Sequence, residues 1–519
     1  MIILWRGNVL AKLDSATTFG LIGYEITVEI DIYRGLPSFN IVGLPDTAIQ
    51  ESKERIRSSI NNSEFDFPQC KVVVNLAPAD IKKEGPSFDL TVALGILIAT
   101  GQITTKTFSK YLYIGELSLT GKLRRVNSVI SIALKAREMG KKGIILPEKN
   151  AEEAALVEGI SVYPTSSLRE VAEFLENKIE ITPLKSKTGR LIKDNGHFEY
   201  DFNEVKGQEH AKRALEVAAA GGHNVLMLGP PGSGKTMLAK RLPSILPNMT
   251  IEEALEVTRI YSTAGLLPYK KPLINLRPFR SPHHTISVAG LAGGGQHPKP
   301  GEISLSHNGV LFLDEFPEFA KNVLQVLRQP LEDRVVTISR ALATLTYPAK
   351  FSLIAAMNPC PCGFYGDKKK ECLCTPSKID KYRTKISGPL MDRIDINLEI
   401  PRLTKEEILG TGSGESSNVI KKRVENARDI QRERFKRKNI KSNAEMRAKH
   451  LRTYCNLIPS AESFLEKAIE SLYLSARSFD SVLKVSRTIA DLSGHETIRL
   501  EHIAEALQYR IVDKNNWIL

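Results

Sequence analysis

In the first 180 positions of the chain, apolar and polar residues follow two periodicities, one typical of strands and one typical of helices. Residues 24–33 alternate strictly between apolar and polar, which predicts a half-buried strand, and the apolar run 143–146 predicts a buried one. Residues 46–60 repeat at the helical spacing, with Asp46 at the N-cap position. Residues 88–99 are apolar throughout, as in a buried helix. Strands that alternate with helices predict an α/β domain over residues 1–180.

The rest of the chain divides into segments of different character. Residues 181–200 are polar and aperiodic, which is typical of a linker. Residues 201–400 show a second α/β pattern. Residues 401–519 are helical and highly charged, with a Gly/Ser-rich interruption at 410–418. We therefore expect an N-terminal domain, a linker, an α/β core and a helical C-terminal domain.

The composition is ordinary except for its charge. With 42% hydrophobic and 25% charged residues, the 519-residue chain is typical of a soluble globular protein. It has no apolar run as long as a membrane span and no signal-peptide features, so we expect a cytoplasmic protein without a membrane partner. The net charge of +13 favours a polyanionic partner. Residues 421–452 hold thirteen Lys/Arg and four Asp/Glu, which suits either DNA steering or a solvated helix.

A glycine-rich loop follows the apolar strand 224–228 and opens the helix 235–242. The loop consists of Gly229, Pro230, Pro231, Gly232, Ser233, Gly234, Lys235 and Thr236. Glycines let backbone N–H groups close around phosphates, and the helix N-terminus adds a favourable dipole. In such a loop the lysine reaches the β- and γ-phosphates of ATP, and the hydroxyl binds Mg²⁺. We therefore predict that these residues bind a nucleotide.

Acidic and amide side chains follow two further predicted strands. The run 310–315 ends in Asp314 and Glu315, which predicts one carboxylate that binds Mg²⁺ and one that orients the attacking water. Asn358 follows the strand 351–356, where an amide can bridge the γ-phosphate and that water; a turn before Pro359 is its other role. Together with the phosphate loop, these positions predict a nucleoside triphosphatase.

Two arginines are candidates for contact with the nucleotide. Arg393 precedes another predicted strand, where it can reach the γ-phosphate of a neighbouring subunit. A surface ion pair with Asp392 or Asp395 is the alternative. Arg477 begins a helix of the C-terminal region, from which it can contact the nucleotide of its own chain.

A β-hairpin is predicted shortly before the asparagine strand. Residues 335–347 alternate on both sides of Arg340, which places Arg340 at the turn. Contact with a DNA phosphate and an ion pair with a carboxylate are both open roles for this arginine.

The Gly- and His-rich segment 283–306 is a second candidate for substrate contact. For its His283 and His284, structural hydrogen bonding is favoured over metal binding, because no matching ligand pair lies nearby in the sequence.

Four of the six cysteines crowd together just after Asn358. They are Cys360, Cys362, Cys372 and Cys374. Four thiolates at this spacing can surround one Zn²⁺, whereas free thiols or a redox pair are the alternatives. Because the cluster begins two residues after Asn358, a metal there would fix the position of the amide.

The order of these motifs resembles that of the AAA+ ATPases. The stretches 277–287, 300–306 and 328–332 resemble the magnesium-chelatase-like branch, and with 358–363 and the N-terminal domain they resemble the bacterial ComM (YifB-type) family over essentially the whole chain. This resemblance implies a homohexameric ring that uses ATP and Mg²⁺ to drive branch migration of DNA joints during uptake of transforming DNA, with single-stranded or branched DNA as its partner. It also assigns phosphate-loop, Mg²⁺, water-activating, sensor and arginine-finger roles to Lys235, Thr236, Asp314, Glu315, Asn358, Arg393 and Arg477.

The N-terminal domain resembles the Lon protease domain at residues 82–89 and 114–121. The resemblance makes Ser87 the counterpart of the nucleophile, but Ile130 stands where the lysine base is expected, and Lys135 lies more than a helical turn away. Capping of the helix 88–99 is the other role of Ser87. We therefore expect a Lon-like fold without protease activity.

The expected architecture is α/β: an AAA+ P-loop core with a helical lid, preceded by a Lon-protease-like domain. An ATP-driven DNA motor is the leading hypothesis. A chelatase motor that inserts Mg²⁺ into a tetrapyrrole is the second, weakened by the fused N-terminal domain. An ATP-dependent protease is the third, weakened by Ile130.

Overall fold

A computed structural model of the protein describes residues 10–83, 85–185, 198–268, 271–295, 298–340, 343–367, 370–404, 407, 414–438 and 440–516. The chain forms two compact units: the first comprises Met1–Asp194 and Ala254–Ile274, the second Asn195–Glu253 and Asn275–Leu519. Most of the predicted linker, residues 186–197, lies outside the described part of the chain.

The first unit is built on a mixed β-sheet of strand order β3-β4-β2-β1-β5-β8-β9. Its strands, together with the small hairpin β6–β7, are β1 (Ala11–Phe19), β2 (Ile22–Tyr33), β3 (Ser38–Val42), β4 (Lys71–Ala77), β5 (Tyr111–Tyr113), β6 (Glu116–Leu117), β7 (Leu123–Arg124), β8 (Gly143–Pro147) and β9 (Ser161–Thr165). Strand β2 pairs antiparallel with both β1 and β4, and the outer pairs are parallel. The alternation in residues 24–33 is confirmed, because every second side chain from Ile26 to Ile32 is buried.

Helices cover this sheet. They are α1 (Thr47–Asn62), α2 (Asp89–Ala99), α3 (Val129–Glu138), α4 (Glu148–Ala154) and α5 (Leu168–Leu175). The predicted cap of α1 is confirmed, since a carboxylate oxygen of Asp46 accepts a hydrogen bond from the backbone N–H of Ile49 over 2.9 Å. Helix α2 is buried along nearly its whole length and packs against β1 and β2, which explains why it has no polar face.

The predicted capping role of Ser87 is wrong. Helix α2 begins at Asp89, and Ser87 lies one turn earlier in a 3-10 helix, Pro86–Phe88. The proline starts this tighter turn and moves the cap position to Phe88, which has no capping side-chain bond. The Ser87 carbonyl instead accepts a hydrogen bond from Gly115 over 2.9 Å.

A segment from the middle of the chain belongs to the first unit. Helix α8 (Ile251–Ala264) starts in the second unit, and from Ala254 to Ile274 the chain packs with the first. The Ser262 hydroxyl donates to the buried Glu153 carboxylate, and Arg259 donates to the Ser131 hydroxyl over 2.9 Å. Burial raises the pKa of Glu153, so its hydrogen bonds offset a desolvation cost.

The second unit is built on a parallel sheet of strand order β11-β14-β17-β10-β18. Its strands and two separate hairpins are β10 (Val225–Leu228), β11 (Phe279–Arg280), β12 (Gly293–Gly294), β13 (Lys299–Pro300), β14 (Gly309–Leu313), β15 (Val335–Arg340), β16 (Ala343–Pro348), β17 (Phe351–Met357) and β18 (Ile396–Glu399). Because the strands are parallel, the loops after β10, β14 and β17 meet at one edge of the sheet, where ligands bind in open α/β folds.

The helices of the second unit surround this sheet and form the C-terminal region. They are α6 (Glu209–Gly221), α7 (Lys235–Arg241), α9 (Val288–Ala292), α10 (Glu302–Leu305), α11 (Lys321–Val326), α12 (Arg328–Asp333), α13 (Pro376–Arg383), α14 (Gly388–Met391), α15 (Ser417–Arg434), α16 (Ala448–Tyr454), α17 (Pro459–Leu472), α18 (Ala476–Leu492) and α19 (Leu500–Asn516). Side chains of α6, α15, α18 and α19 share one hydrophobic core with the sheet. Among the described residues, no helix is both long enough and apolar enough to cross a membrane.

Candidate nucleotide-binding site

The phosphate loop connects the inner strand β10 to helix α7. Gly232 and Gly234 have φ angles of +78° and +94°, in the left-handed region that favours glycine. A Cβ atom at Gly229 would lie 2.3 Å from the carbonyl oxygen of Ile400. The loop therefore needs two glycines for its backbone conformation and a third for its close approach to the chain after β18.

The Lys235 ammonium lies inside this loop. Its Nζ donates to the carbonyl oxygens of Gly229 over 2.7 Å and Pro230 over 2.9 Å, and it lies 3.3 Å from the amide oxygen of Asn358. Burial lowers the pKa of Lys235 to about 8, against the opposing charge of Asp314. The hydrogen-bond partners of this desolvated cation are neutral, so a bound phosphate would supply the anion it needs.

Thr236 and Asp314 place two oxygens side by side at the carboxyl edge of the sheet. The Thr236 hydroxyl donates to a carboxylate oxygen of Asp314 over 2.6 Å. The other carboxylate oxygen accepts a hydrogen bond from the backbone N–H of Glu315 over 2.9 Å. A hydroxyl and a carboxylate are hard oxygen ligands, so this pair fits the Mg²⁺ ion expected from the sequence.

Glu315 lies beside a histidine from the turn that follows β11. Its backbone has φ +50°, a conformation that is uncommon outside glycine. Its carboxylate oxygen lies 3.1 Å from Nδ1 of His284, whose ring packs against His283 with 4.1 Å between centroids. Hydrogen bonding was predicted for these histidines, but the partner was missed. The histidines follow β11, and the pairing of β11 with the acidic strand β14, which the sequence does not show, brings them to Glu315.

The two candidate arginines lie close to each other but not at the phosphate loop. Arg393 pairs with Glu332, and Arg477 pairs with Asp392 over 3.3 Å. Arg393 thus forms an ion pair, with a different partner from the two aspartates considered from the sequence. Within the described residues, neither arginine contacts the loop that holds Lys235.

A buried polar cluster fixes the segment that carries Arg393. Asp395 lies 3.2 Å from Nδ1 of His223 and accepts a hydrogen bond from the Ser481 hydroxyl over 2.9 Å. The second ring nitrogen of His223 lies 2.8 Å from the hydroxyl of Thr488. Although burial acts to raise it, the hydrogen bond and charge of His223 hold the pKa of Asp395 well below its usual range. Because Ser481 and Thr488 belong to α18, this cluster connects the Arg393 segment to the helix that carries Arg477.

The four clustered cysteines converge in space. The sulfur of Cys360 lies 3.3 Å from that of Cys362 and 3.6 Å from that of Cys372, and all four sulfurs, including that of Cys374, lie within 4.8 Å of one another. Four sulfurs around a tetrahedral Zn²⁺ at about 2.3 Å would be roughly 3.8 Å apart. The donor set and its spacing therefore fit one zinc ion.

The cysteine loop also touches the nucleotide loop. Gly363 has φ +84°, and a Cβ atom there would lie 2.5 Å from Cδ of Pro231 and 3.8 Å from Cγ of Asn358. The segment that carries the cysteines therefore packs directly on the phosphate loop. A change in the conformation of this segment would therefore move both Pro231 and Asn358.

Two predicted DNA-contacting elements have different outcomes. The hairpin is confirmed, with β15 and β16 antiparallel and Arg340 opposite Ala343. Residues 341–342 and the Arg340 side chain lie outside the described part of the chain, so the contact of Arg340 with DNA stays a prediction. In the basic segment 421–452, Arg423 pairs with Glu216, and Arg434 pairs with a buried aspartate of α18. These two arginines form ion pairs within the fold, and DNA steering by the segment stays a prediction.

Comparison with known proteins identifies the family. Family models described as "Magnesium chelatase, subunit ChlI", "Subunit ChlI of Mg-chelatase" and "Magnesium chelatase, subunit ChlI C-terminal" match residues 201–408, 28–150 and 414–510. "Competence protein ComM" of Haemophilus influenzae is 44% identical over 506 residues, which cover 96% of this chain and 97% of that protein. The chain belongs to the ComM (YifB-type) family of magnesium-chelatase-like AAA+ proteins.

Other members of the family match the chain over a similar length. "Uncharacterized protein YifB" of Escherichia coli is 43% identical, covering 97% of this chain and 98% of that protein. "Uncharacterized protein Rv2897c" of Mycobacterium tuberculosis is 37% identical, covering 96% of this chain and 98% of that protein. Membership implies ATPase activity with ATP and Mg²⁺, and the mixed α/β fold with a parallel P-loop sheet agrees with it.

Part of the ComM-family chain is also similar to Lon proteases. "Lon protease 2" of Bacillus subtilis is 32% identical over 154 residues, which cover 27% of this chain and 26% of that protein. "Lon protease homolog, mitochondrial" of Neurospora crassa is 26% identical over 175 residues, which cover 31% of this chain and 15% of that protein. These matches support the Lon-like resemblance of the N-terminal domain. They cover too little of either relative to carry the activity of a whole protease.

Proposed function

We propose that this ComM-family protein is an ATP-driven DNA motor. It assembles as a homohexameric ring in the cytoplasm, binds single-stranded or branched DNA and promotes branch migration of DNA joints in recombination during natural transformation. The observation that carries the proposal is the 44% identity to a competence protein over 96% of the chain. The net charge of +13 supports a polyanionic substrate.

Hydrolysis begins with the nucleotide in the loop that contains Lys235. The ammonium and the loop N–H groups stabilise the β- and γ-phosphates. Thr236 and Asp314 would hold Mg²⁺, which when bound neutralises charge that builds on the transferred phosphoryl group. Glu315 orients the attacking water, and Asn358, 3.3 Å from Lys235, contacts the γ-phosphate and that water. His284 fixes the orientation of the Glu315 carboxylate.

The arginines act across and within subunits. In one chain Arg393 pairs with an exposed carboxylate, Glu332. Assembly of the ring would replace that carboxylate with the γ-phosphate of the neighbouring subunit, and a guanidinium there stabilises the charge of the transition state. Arg477, at the start of the lid helix α18, contacts the nucleotide of its own chain. Hydrolysis then depends on correct assembly.

The proposal includes a structural Zn²⁺ held by the four clustered cysteines. It would keep the loop at Gly363 packed against the phosphate loop. Elemental analysis of protein purified without chelators should find about one zinc per chain. Zinc should be lost in Cys372→Ser and retained in Cys70→Ser, and protein without zinc from the start would contradict the site.

The comparisons also favour two other candidate functions. The family models named for magnesium chelatase favour the motor subunit of a metal chelatase. Such a motor would hydrolyse ATP without responding to DNA. The Lon similarity raises an ATP-dependent protease as a candidate, which Ile130 at the position of the lysine base argues against and which casein cleavage abolished by Ser87→Ala would establish.

ATPase measurements with DNA separate these candidates. We expect single-stranded DNA or a four-way junction to raise the rate of hydrolysis several-fold at low salt, because phosphate contacts are strongest there. Lys235→Ala should abolish the activity, whereas Lys240→Ala, an exposed lysine on the same helix, should preserve it. Absence of both DNA binding and stimulation at low salt would refute the DNA motor.

A further inference from the structure

A cavity of the second unit lies at the opposite edge of the sheet from the nucleotide. It is lined by Asn308 and Gly309, where β14 begins, and by Lys350 and Phe351, where β17 begins. The phosphate loop and Asp314 lie at the carboxyl ends of the strands. The cavity has a volume of about 70 Å³, which suits one small oxyanion rather than a whole nucleoside.

The cavity is strongly cationic. Its charged lining is Arg277, Arg334, Lys350, Arg428 and Lys441, with Glu253 and Glu445. Five cations against two carboxylates leave an excess of three positive charges. Glu253 lies 2.8 Å from Arg277 and 3.4 Å from Lys441, so those two cations have an anionic partner within the protein.

The other three cations are less well compensated. Within the part of the chain that the structure describes, the side chains of Arg334 and Lys350 form no hydrogen bond or ion pair. The terminal nitrogens of Arg428 donate to the carbonyl oxygens of Lys441 over 3.5 Å and Ala219 over 3.2 Å, which are neutral partners, and its Nε is buried without a hydrogen-bond partner. Burial and the charge of Arg277 lower the pKa of Arg428 to about 10. The charges of Glu445 and Glu253 both act on Arg428, and with these two carboxylates against five cations the lining keeps its positive excess.

We propose that this cavity binds a phosphate group, and that in the working motor the phosphate belongs to the DNA backbone. Two guanidinium groups and an ammonium form a suitable set of donors for a phosphate, and such a contact carries no base sequence. The assignment to DNA rests on the proposed function. The phosphate site itself rests only on the cavity and its charges.

The position of the cavity gives the site a role in the motor. Arg334 precedes β15, Lys350 follows β16, and the N–H of Ala349 donates to the carbonyl of Arg334 over 2.8 Å, so the two cations flank the base of the hairpin. Arg428 belongs to the lid helix α15. A phosphate bound between them would join the hairpin to the lid.

A double variant tests the site. Lys350→Gln with Arg334→Asn removes two charges, and asparagine tolerates the φ of +62° at position 334. The control is Lys149→Gln with Lys467→Gln, which removes two charges from exposed positions outside the basic segment. We expect the site variant to bind a single-stranded oligonucleotide about fivefold more weakly than the control. The slope of the logarithm of its affinity against the logarithm of salt concentration should correspond to about one to two fewer released ions. Affinity for an ATP analogue should be unchanged in both.

Inorganic phosphate distinguishes the source of the ligand. With an ATP analogue occupying the phosphate loop, phosphate should raise the melting temperature of the control and not of the site variant. If the wild-type protein binds no DNA but shows this difference, the cavity binds a free phosphate, and the proposed DNA function fails. Equal DNA affinity in the two variants, without a phosphate-dependent difference in melting, would overturn the site and leave the proposed function standing.

Discussion

At the residue scale, the charge of Lys235 decides how strongly the loop attracts a nucleotide. Its ammonium is surrounded by carbonyl oxygens, and burial lowers its pKa to about 8. A bound phosphate favours the charged form, so above that pH the protein must take up a proton when it binds the nucleotide. Below that pH the ammonium is already charged, and binding needs no proton.

We therefore expect nucleotide affinity to fall at alkaline pH. The dissociation constant of a non-hydrolysable ATP analogue should be nearly flat below about pH 7.5 and rise up to about tenfold per pH unit above the pKa of Lys235, because one proton is taken up. Isothermal titration calorimetry in buffers of different ionisation enthalpy checks both the affinity and the proton. A constant affinity up to about pH 9.5 would contradict the assignment.

The second prediction at this scale concerns His284, which lies 3.1 Å from the carboxylate of Glu315. His284→Ala should lower kcat about tenfold and leave KM unchanged, because the carboxylate loses its orientation but the nucleotide contacts remain. The matched control is His283→Ala, since His283 bonds to Thr285 over 2.9 Å rather than to the carboxylate. Equal rates for the two variants would show that His284 does not position Glu315.

The chemistry of single residues was predictable where it is local in the sequence. Lys235 and Thr236 belong to one contiguous loop, and Asp314 stands at the end of an obvious strand. The contact between His284 and Glu315 was not predictable, because it depends on the pairing of β11 with β14. The partner of Arg393, Glu332, was missed for the same reason.

At the element scale, the cysteine loop would connect the proposed metal binding to nucleotide binding. Gly363 packs on Pro231, and its backbone has φ +84°. Gly366 belongs to the same loop and has φ +79°, but a Cβ atom there would meet nothing within 4 Å. The two glycines share their backbone strain and differ in their contact with the phosphate loop.

This difference predicts different effects of the same substitution. Gly363→Ala should weaken nucleotide binding about tenfold, because the new methyl group pushes Pro231 out of position, whereas Gly366→Ala should cost only the backbone strain of about 1 kcal/mol in stability. Nucleotide titration and thermal unfolding of both variants separate the two effects. Equal nucleotide affinities would show that the loop contact is irrelevant to binding.

Elements were predictable where the hydrophobic period was clear. The strand around residues 24–33, helix α1 with its Asp46 cap and the hairpin β15–β16 are confirmed. The start of α2 was misjudged because a 3-10 turn precedes it. The packing of Ala254–Ile274 with the first unit was not predictable, because partners such as Glu153 lie more than one hundred residues away in the sequence.

At the scale of the whole molecule, the proposed mechanism needs more than one chain to complete the hydrolytic site. Lys235, Thr236, Asp314 and Asn358 come together, whereas Arg393 contacts Glu332 and not the phosphate loop. In the proposed ring a neighbour supplies this charge, and the hairpin and basic cavity contact DNA. The central claim is that hydrolysis at this site moves DNA.

Branch migration of a synthetic four-way junction by the purified protein tests that claim most directly. The account predicts ATP- and Mg²⁺-dependent conversion of the junction into duplex products by the wild-type protein and the Lys240→Ala control. Lys235→Ala and Arg393→Ala should bind the junction but leave it unresolved. An unchanged junction with active wild-type ATPase, or equal conversion by Lys235→Ala, would contradict the account.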